Sequence, residues 1–251
     1  MTADSTQSDA IWPEGLGDET ESLHDLIDPV RFVLFDFDGP ICRLFPGRSA
    51  QKVAEDQVRC LVGLGLPGLL SEEERCQVDP YVVLRAVDRR RPRSDLVEEL
   101  EKRLTQHELT AVVSALPTPY VDPLIRTWTA VGARLAVTTN NSPCAVSRYL
   151  ASRGLLECFA PHIYGRTQDL RLLKPDPHCL HRALRAMGAD PQATLMIGDA
   201  PTDFEAARRA GVGFLGYARG AREARLLTAA GVRHVVPSLE PVLERLRAKG
   251  R

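Results

Sequence analysis

The chain has 251 residues, of which 44% are hydrophobic and 26% charged, and its net charge is −1. That length buries one sizeable core or a core domain with a smaller insert, and no stretch approaches the roughly 20 apolar residues a membrane span needs. The charge is uneven: residues 1 to 28 hold eight Asp or Glu and no Lys or Arg, which leaves 25 acids against 32 bases in the rest. Those bases are scattered without interleaved aromatics, which speaks against a nucleic-acid platform and leaves either attraction of an anionic substrate or an ordinary solvated surface.

In chain order, residues 1 to 28 read as a flexible acidic leader, broken by Pro13, Gly15 and Gly17, so that deleting them should leave the melting temperature nearly unchanged. Order is expected from Arg31, where Phe32-Val33-Leu34-Phe35 has the continuous apolar character of a strand buried on both faces. Residues 44 to 117 then switch to helical spacing with no convincing strand and are expected to form an inserted helical cap. Within it Val53, Val58, Leu61 and Val62 make one apolar stripe, and Asp95 with Glu98 predicts a capping box ahead of Leu96, Leu100 and Leu104. The basic run Arg89-Arg90-Arg91-Pro92-Arg93 reads as a solvated connection, with one guanidinium reaching a substrate as the alternative.

Beyond Pro123 strands and helices alternate, which predicts right-handed crossovers and a parallel sheet, so residues 29–43 and 118–251 form an α/β core. The strands expected are Leu135–Thr138, Thr194–Ile197, Gly213–Gly216 and His234–Val236. Ser142-Pro143 starts a helix that runs to about Arg153, Asp176-Pro177 starts another that Gly188 stops, and Thr202 to Ala210 forms a third closed by Gly211. The six cysteines lie far apart, with no Cys-x-x-Cys pair and no zinc-finger spacing, and read as reduced packing groups. With no basic segment followed by an apolar run at the N-terminus, a cytoplasmic protein is expected.

Polar residues gather behind the predicted strands, and the carboxyl ends of parallel strands are where open α/β sheets bind ligands. Asp36 and Asp38 follow the first strand two residues apart, and Gly39 lets the backbone turn away. Two carboxylates brought together repel unless a cation or shared proton intervenes, which points to a hard divalent metal. Asp199 behind the Thr194–Ile197 strand, with Asp203 one helical turn on, would complete the set; the alternative is that both cap the following helix. Thr139 and Asn140 end another strand ahead of a helix start, where a hydroxyl and backbone amides suit phosphate oxygens or an ordinary turn. Lys174, one of four lysines in this Arg-rich chain, is either a compact cation for a carboxylate and a phosphoryl group or an exposed turn residue.

Together these segments resemble the four motifs of the haloacid dehalogenase superfamily: Asp36-Phe37-Asp38-Gly39, Thr139, Lys174-Pro175, and Gly198-Asp199-Ala200-Pro201-Thr202-Asp203. The insert resembles the cap of its phosphoglycolate phosphatase-like subgroup. The resemblance implies a Rossmann-like α/β core with an all-helical cap, Mg²⁺ as cofactor and a small phosphorylated metabolite as substrate. It further implies Asp36 as nucleophile, Asp38 as acid/base, and Thr139, Asn140 and Lys174 as phosphate ligands. The metal would be held by Asp36, the Asp38 backbone carbonyl and Asp199, with Asp203 as a ligand through water or a loop-fixing acceptor. A sugar-phosphate phosphomutase and a catalytically silent binding module on the same fold are the alternatives. A halide-releasing enzyme is disfavoured, since Asp38 supplies the carboxylate that dehalogenases lack. Pro40 departs from the threonine or valine usual in the first motif and lacks a backbone amide. Arg43, Arg48 and Arg85 match no motif.

Overall fold

The computed structural model describes residues 23–46 and 50–249. Six parallel strands form one sheet in the order β5-β4-β1-β6-β7-β8: β1 (Phe32–Phe35), β4 (Arg134–Thr138), β5 (Ile163–Tyr164), β6 (Thr194–Gly198), β7 (Gly213–Tyr217) and β8 (Val235–Val236). The two-residue β5 escapes sequence reading because so short a run has no period to detect. β1 lies in the middle, paired with β4 on one side and β6 on the other.

The pleat sends alternate side chains of β1 to opposite layers. Val33 and Phe35 join a core with Leu135, Val137, Leu195 and Ile197, closed by α6 (Val121–Ala130), α7 (Pro143–Ser152) and α12 (Glu240–Lys249). There Trp128 and Phe159 pack edge-on against the Phe35 ring at 5.8 and 6.0 Å. Leu34 joins the other core with Ala136, Met196 and Phe214, covered by α9 (His178–Met187), α10 (Pro201–Ala210) and α11 (Ala221–Ala229). Gly188 and Gly211 close α9 and α10 in the left-handed conformation that the sequence anticipates. α12, beyond β8, is an element the sequence reading did not anticipate.

Between β1 and α6 the chain forms a separate helical layer of α2 (Ala50–Gly63), α3 (Glu72–Arg75), α4 (Pro80–Arg90) and α5 (Asp95–Ala111). Its own core holds Val53, Leu61, Val83, Leu84, Val87, Leu100 and Leu104, joined by Leu170 and Leu173 of the sheet domain. Val62 does not belong to that stripe and is 54% exposed. Nor does Asp95 cap α5: the N-cap is Ser94, whose hydroxyl donates to Arg91 O at 2.8 Å. Two short strands missing from the sequence reading form the hinge, β2 (Cys42–Arg43) pairing antiparallel with β3 (Leu116–Pro117). The chain therefore enters and leaves the cap at adjacent points.

Packing starts earlier than the leader boundary at residue 28 allows. Residues 23–27 are helical (α1), and Leu23 and Ile27 are buried in the core beneath α12. Asp28 forms a two-pronged ion pair with Arg245, which holds its carboxyl below the usual range, and Lys249 Nζ donates to Asp28 O at 2.5 Å. An apolar pair spaced i, i+4 outweighs the acidic composition of the segment. The expectation that residues 1 to 28 are dispensable for stability is thus corrected for 23–28, while residues 1–22 lie outside the described residues. Ile27→Ala is expected to destabilise the fold by about 2–4 kcal/mol, read as a lower urea midpoint at unchanged slope.

Candidate active site

Asp36 is the first residue past β1, Thr139 and Asn140 follow β4, and Asp199 follows β6, so adjacent strands deliver all of them to one carboxyl edge. Asp36 N donates to Ile197 O at 2.9 Å, which fixes where the first strand ends against β6. Lys174 arrives from the loop behind β5 and is 2% exposed, which excludes the surface-turn reading. Its ammonium donates to Asp36 Oδ1 at 2.8 Å and Thr138 O at 3.0 Å, and pairs with Asp203 Oδ1 at 2.5 Å. Burial alone would pull its pKa down, but Asp203 and Asp36 hold it above the usual lysine range. Its backbone is bracketed by the Asn140 side chain, with Lys174 N on Asn140 Oδ1 at 2.8 Å and Asn140 Nδ2 on Lys174 O at 3.3 Å. The Asn140 amide group is therefore engaged in placing the lysine.

One oxygen from each of Asp36, Asp199 and Asp203 lies within 4.8 Å of the others. Asp203 is tied down on both oxygens: Oδ2 accepts from Asp199 N and Ala200 N at 3.2 Å each, so it also organises the entry to α10. Asp199, in contrast, accepts no hydrogen bond among the described residues. Burial and then the Asp36 and Asp203 charges push its pKa well above the carboxylate norm. Gly39 has a φ of +120°, and a Cβ there would lie 2.2 Å from Asp199 Oδ2, so both the turn and the space beside Asp199 require glycine. The Asp38 side chain stands apart from the trio; its Oδ1 accepts from Leu44 N at 2.9 Å. Burial, reinforced by Asp36, lifts Asp38 to about 6 against the opposing Leu44 hydrogen bond.

Pro40 fits this turn without loss. Gly39 N donates to Cys42 O at 2.7 Å, and Ile41 N and Cys42 N both donate to Phe37 O, so the amide that proline lacks has no role in the pattern. Thr139 is 2% exposed, and its Oγ1 donates to Asn141 Oδ1 at 2.9 Å.

The arginines singled out by sequence divide. Arg89 and Arg90 pair with Glu74 of α3 at 2.8 and 2.9 Å and remain at the cap surface. Arg85 instead crosses from α4 to the sheet domain, with Nη2 donating to Lys174 O at 2.6 Å. Arg43 is exposed on β2, and Arg48 lies outside the described residues. Arg219 went unnoticed in the sequence. It follows β7 at the same sheet edge, exposed, and its charge lowers the pKa values of Asp38 and Asp199. The rule that ligands bind beyond strand ends would have found it. Glu108 and Arg166 were missed as well; the signal was an acid at an apolar position of α5.

The comparisons with known proteins agree with this geometry. The chain is 28% identical over 185 residues to a phosphoglycolate phosphatase from Rhodospirillum rubrum, covering 72% of this chain and 76% of the relative. It is 29% identical over 225 residues to a phosphoglycolate phosphatase from Pseudomonas putida, covering 85% and 78%. Its fold superposes on the crystal structure of a predicted phosphatase from Clostridium acetobutylicum with a TM-score of 0.65 at 17% identity, over 87% of this chain and 99% of that one. The sequence model of the haloacid dehalogenase-like hydrolases matches residues 30–211, which include the carboxylate trio, Lys174, the helical insert and four of the six strands of the parallel sheet. The chain belongs to that family of hydrolases.

Proposed function

We propose that this chain is a magnesium-dependent phosphatase that hydrolyses a small phosphate monoester through an aspartyl-phosphate on Asp36. The observation that carries the reading is the buried Lys174 ammonium bonded to Asp36 inside a cluster of three carboxylates. One buried cation against three acids leaves net negative charge, and Asp199 accepts no hydrogen bond among the described residues. All-oxygen donors with this deficit suit a hard divalent cation such as Mg²⁺. Asp36 and Asp199, with the Asp38 backbone carbonyl, would hold it, and Asp203 would fix the loop that presents Asp199. When bound, Mg²⁺ supplies charge stabilisation to the phosphoryl oxygens.

Asp36 attacks phosphorus through a carboxylate oxygen, and the bond from phosphorus to the ester oxygen breaks. Asp38 gives its proton to the departing oxygen; a pKa near 6 suits a group that must donate and then accept a proton close to neutrality. The Asp38 carboxylate next takes a proton from water, whose oxygen attacks the aspartyl-phosphate. The bond between phosphorus and Asp36 breaks, which returns the carboxylate and releases inorganic phosphate. Lys174 neutralises the nucleophile and the transferring group, and the Thr139 hydroxyl holds a phosphoryl oxygen. The relatives named phosphoglycolate phosphatase support a small phosphorylated metabolite as substrate, and Arg85 offers it a cation from the cap.

Release of phosphate from p-nitrophenyl phosphate tests this reading. Activity is expected with MgCl₂, to fall by at least about 100-fold in excess EDTA, and to return when Mg²⁺ is restored. Release that ignores EDTA would remove the metal from the mechanism.

A further inference from the structure

Glu108 stands in the apolar stripe of α5 with Val97, Leu100, Leu104 and Ala111, and its side chain is completely buried. A carboxylate in that place is costly unless its lone pairs are met. Five donors meet them. Oε1 accepts from Arg166 Nη1 at 2.9 Å, Asn141 Nδ2 at 3.1 Å and Tyr81 OH at 3.2 Å. Oε2 accepts from Arg166 Nη2 and from Ser142 N, each at 3.0 Å. Arg166, equally buried, is satisfied in turn by Asn140 O at 2.9 Å, Thr105 Oγ1 at 2.8 Å and Glu101 Oε1 at 3.0 Å.

The cluster grips the turn after β4 at three successive residues: Asn140 by its carbonyl, Asn141 by its side chain and Ser142 by its amide. Because a carboxylate only accepts, Asn141 must present Nδ2 to Glu108, which turns its oxygen toward Thr139. The Thr139 Oγ1 donates to that oxygen at 2.9 Å and accepts from the Asn141 backbone N–H at 3.2 Å, so it is held from two sides.

We propose that Asn141 is a positioning residue for the Thr139 hydroxyl, and that the buried Glu108–Arg166 pair exists to hold Asn141 and the 140–142 turn in register with the cap. The proposal rests on Thr139 being the phosphoryl ligand of the proposed function. On binding, the Thr139 proton swings from Asn141 Oδ1 to a phosphoryl oxygen while the Asn141 N–H keeps Oγ1 in place. Alignment of this kind is set before substrate arrives and does not have to be found in each turnover.

Asn141→Ala leaves Glu108 four of its five donors and the Arg166 pair intact, so the melting temperature should barely move. Its kcat/KM on p-nitrophenyl phosphate is expected to fall roughly ten- to 100-fold. Orthovanadate, a mimic of the transferring phosphoryl group, should bind more weakly by a similar factor. In a Thr139→Val background the same substitution should add less than about twofold, because Asn141 then has no hydroxyl to place. The double variant Glu108→Met/Arg166→Met removes both charges together; it should keep near-parental stability yet show the rate loss of Asn141→Ala. Parental kcat/KM in either variant, or losses at positions 139 and 141 that multiply, would overturn the proposal. Vanadate affinity reads the anchor without turnover, so a parent that binds vanadate and hydrolyses nothing would defeat the phosphatase reading and still decide this one.

Discussion

Asp36→Asn is expected to reduce phosphate release by roughly 10⁴-fold or more, while the protein stays folded and becomes, without metal, no less stable than the parent. The rate loss follows from chemistry: an amide neither attacks phosphorus nor leaves as a carboxylate. The stability expectation follows from geometry. Asparagine keeps an oxygen for Lys174 Nζ, now 2.8 Å away, and it withdraws one of three like charges from a space 4.8 Å across. Relief of that repulsion offsets the weaker hydrogen bond. Phosphate release in a colorimetric assay, paired with thermal melts in EDTA, checks both halves. A variant as active as the parent would remove Asp36 from the nucleophile's place.

Lys174→Met is expected to lower kcat/KM by about 100- to 1000-fold and, unlike Asp36→Asn, to destabilise the metal-free protein by about 3–5 kcal/mol, the usual cost of breaking a buried ion pair from one side. The lysine is the only cation bonded to Asp36 and Asp203 among the described residues, and its loss leaves their charges facing Asp199. Added Mg²⁺ should recover a substantial part of the lost melting temperature but little of the turnover, because the ion answers the repulsion without replacing the ammonium at the phosphoryl group. Equal melting deficits with and without Mg²⁺ would mean that the lysine and the metal do not share these carboxylates.

Much of this was legible in the sequence because it depends on short-range rules. Phe32–Phe35 has to be interior on both sides, and a buried parallel strand ending in Asp36 puts that acid at a ligand-binding edge. Lys174 was readable by its rarity in an Arg-rich chain, although only the fold reveals its burial. What escaped depends on long-range partners. Glu108 is an acid out of place in an apolar helix stripe, and nothing local accounts for it until Arg166, 58 residues on, is placed against it. Leu23 and Ile27 are too few to outvote an acidic composition until the core they join, shared with α6 and α12, is assembled. Ser94 took the cap position from Asp95 by one residue, a difference that helix signals do not resolve.

The β2–β3 pairing sets the cap's freedom to vary. Since Cys42 faces Pro117 across hydrogen-bonded neighbours, the excursion departs and returns through one narrow doorway in the sheet domain. Its size and shape are then decoupled from the spacing of β1, β4 and β6. Different lids could be grafted at that doorway to accept different esters while the reaction chamber beneath keeps its dimensions.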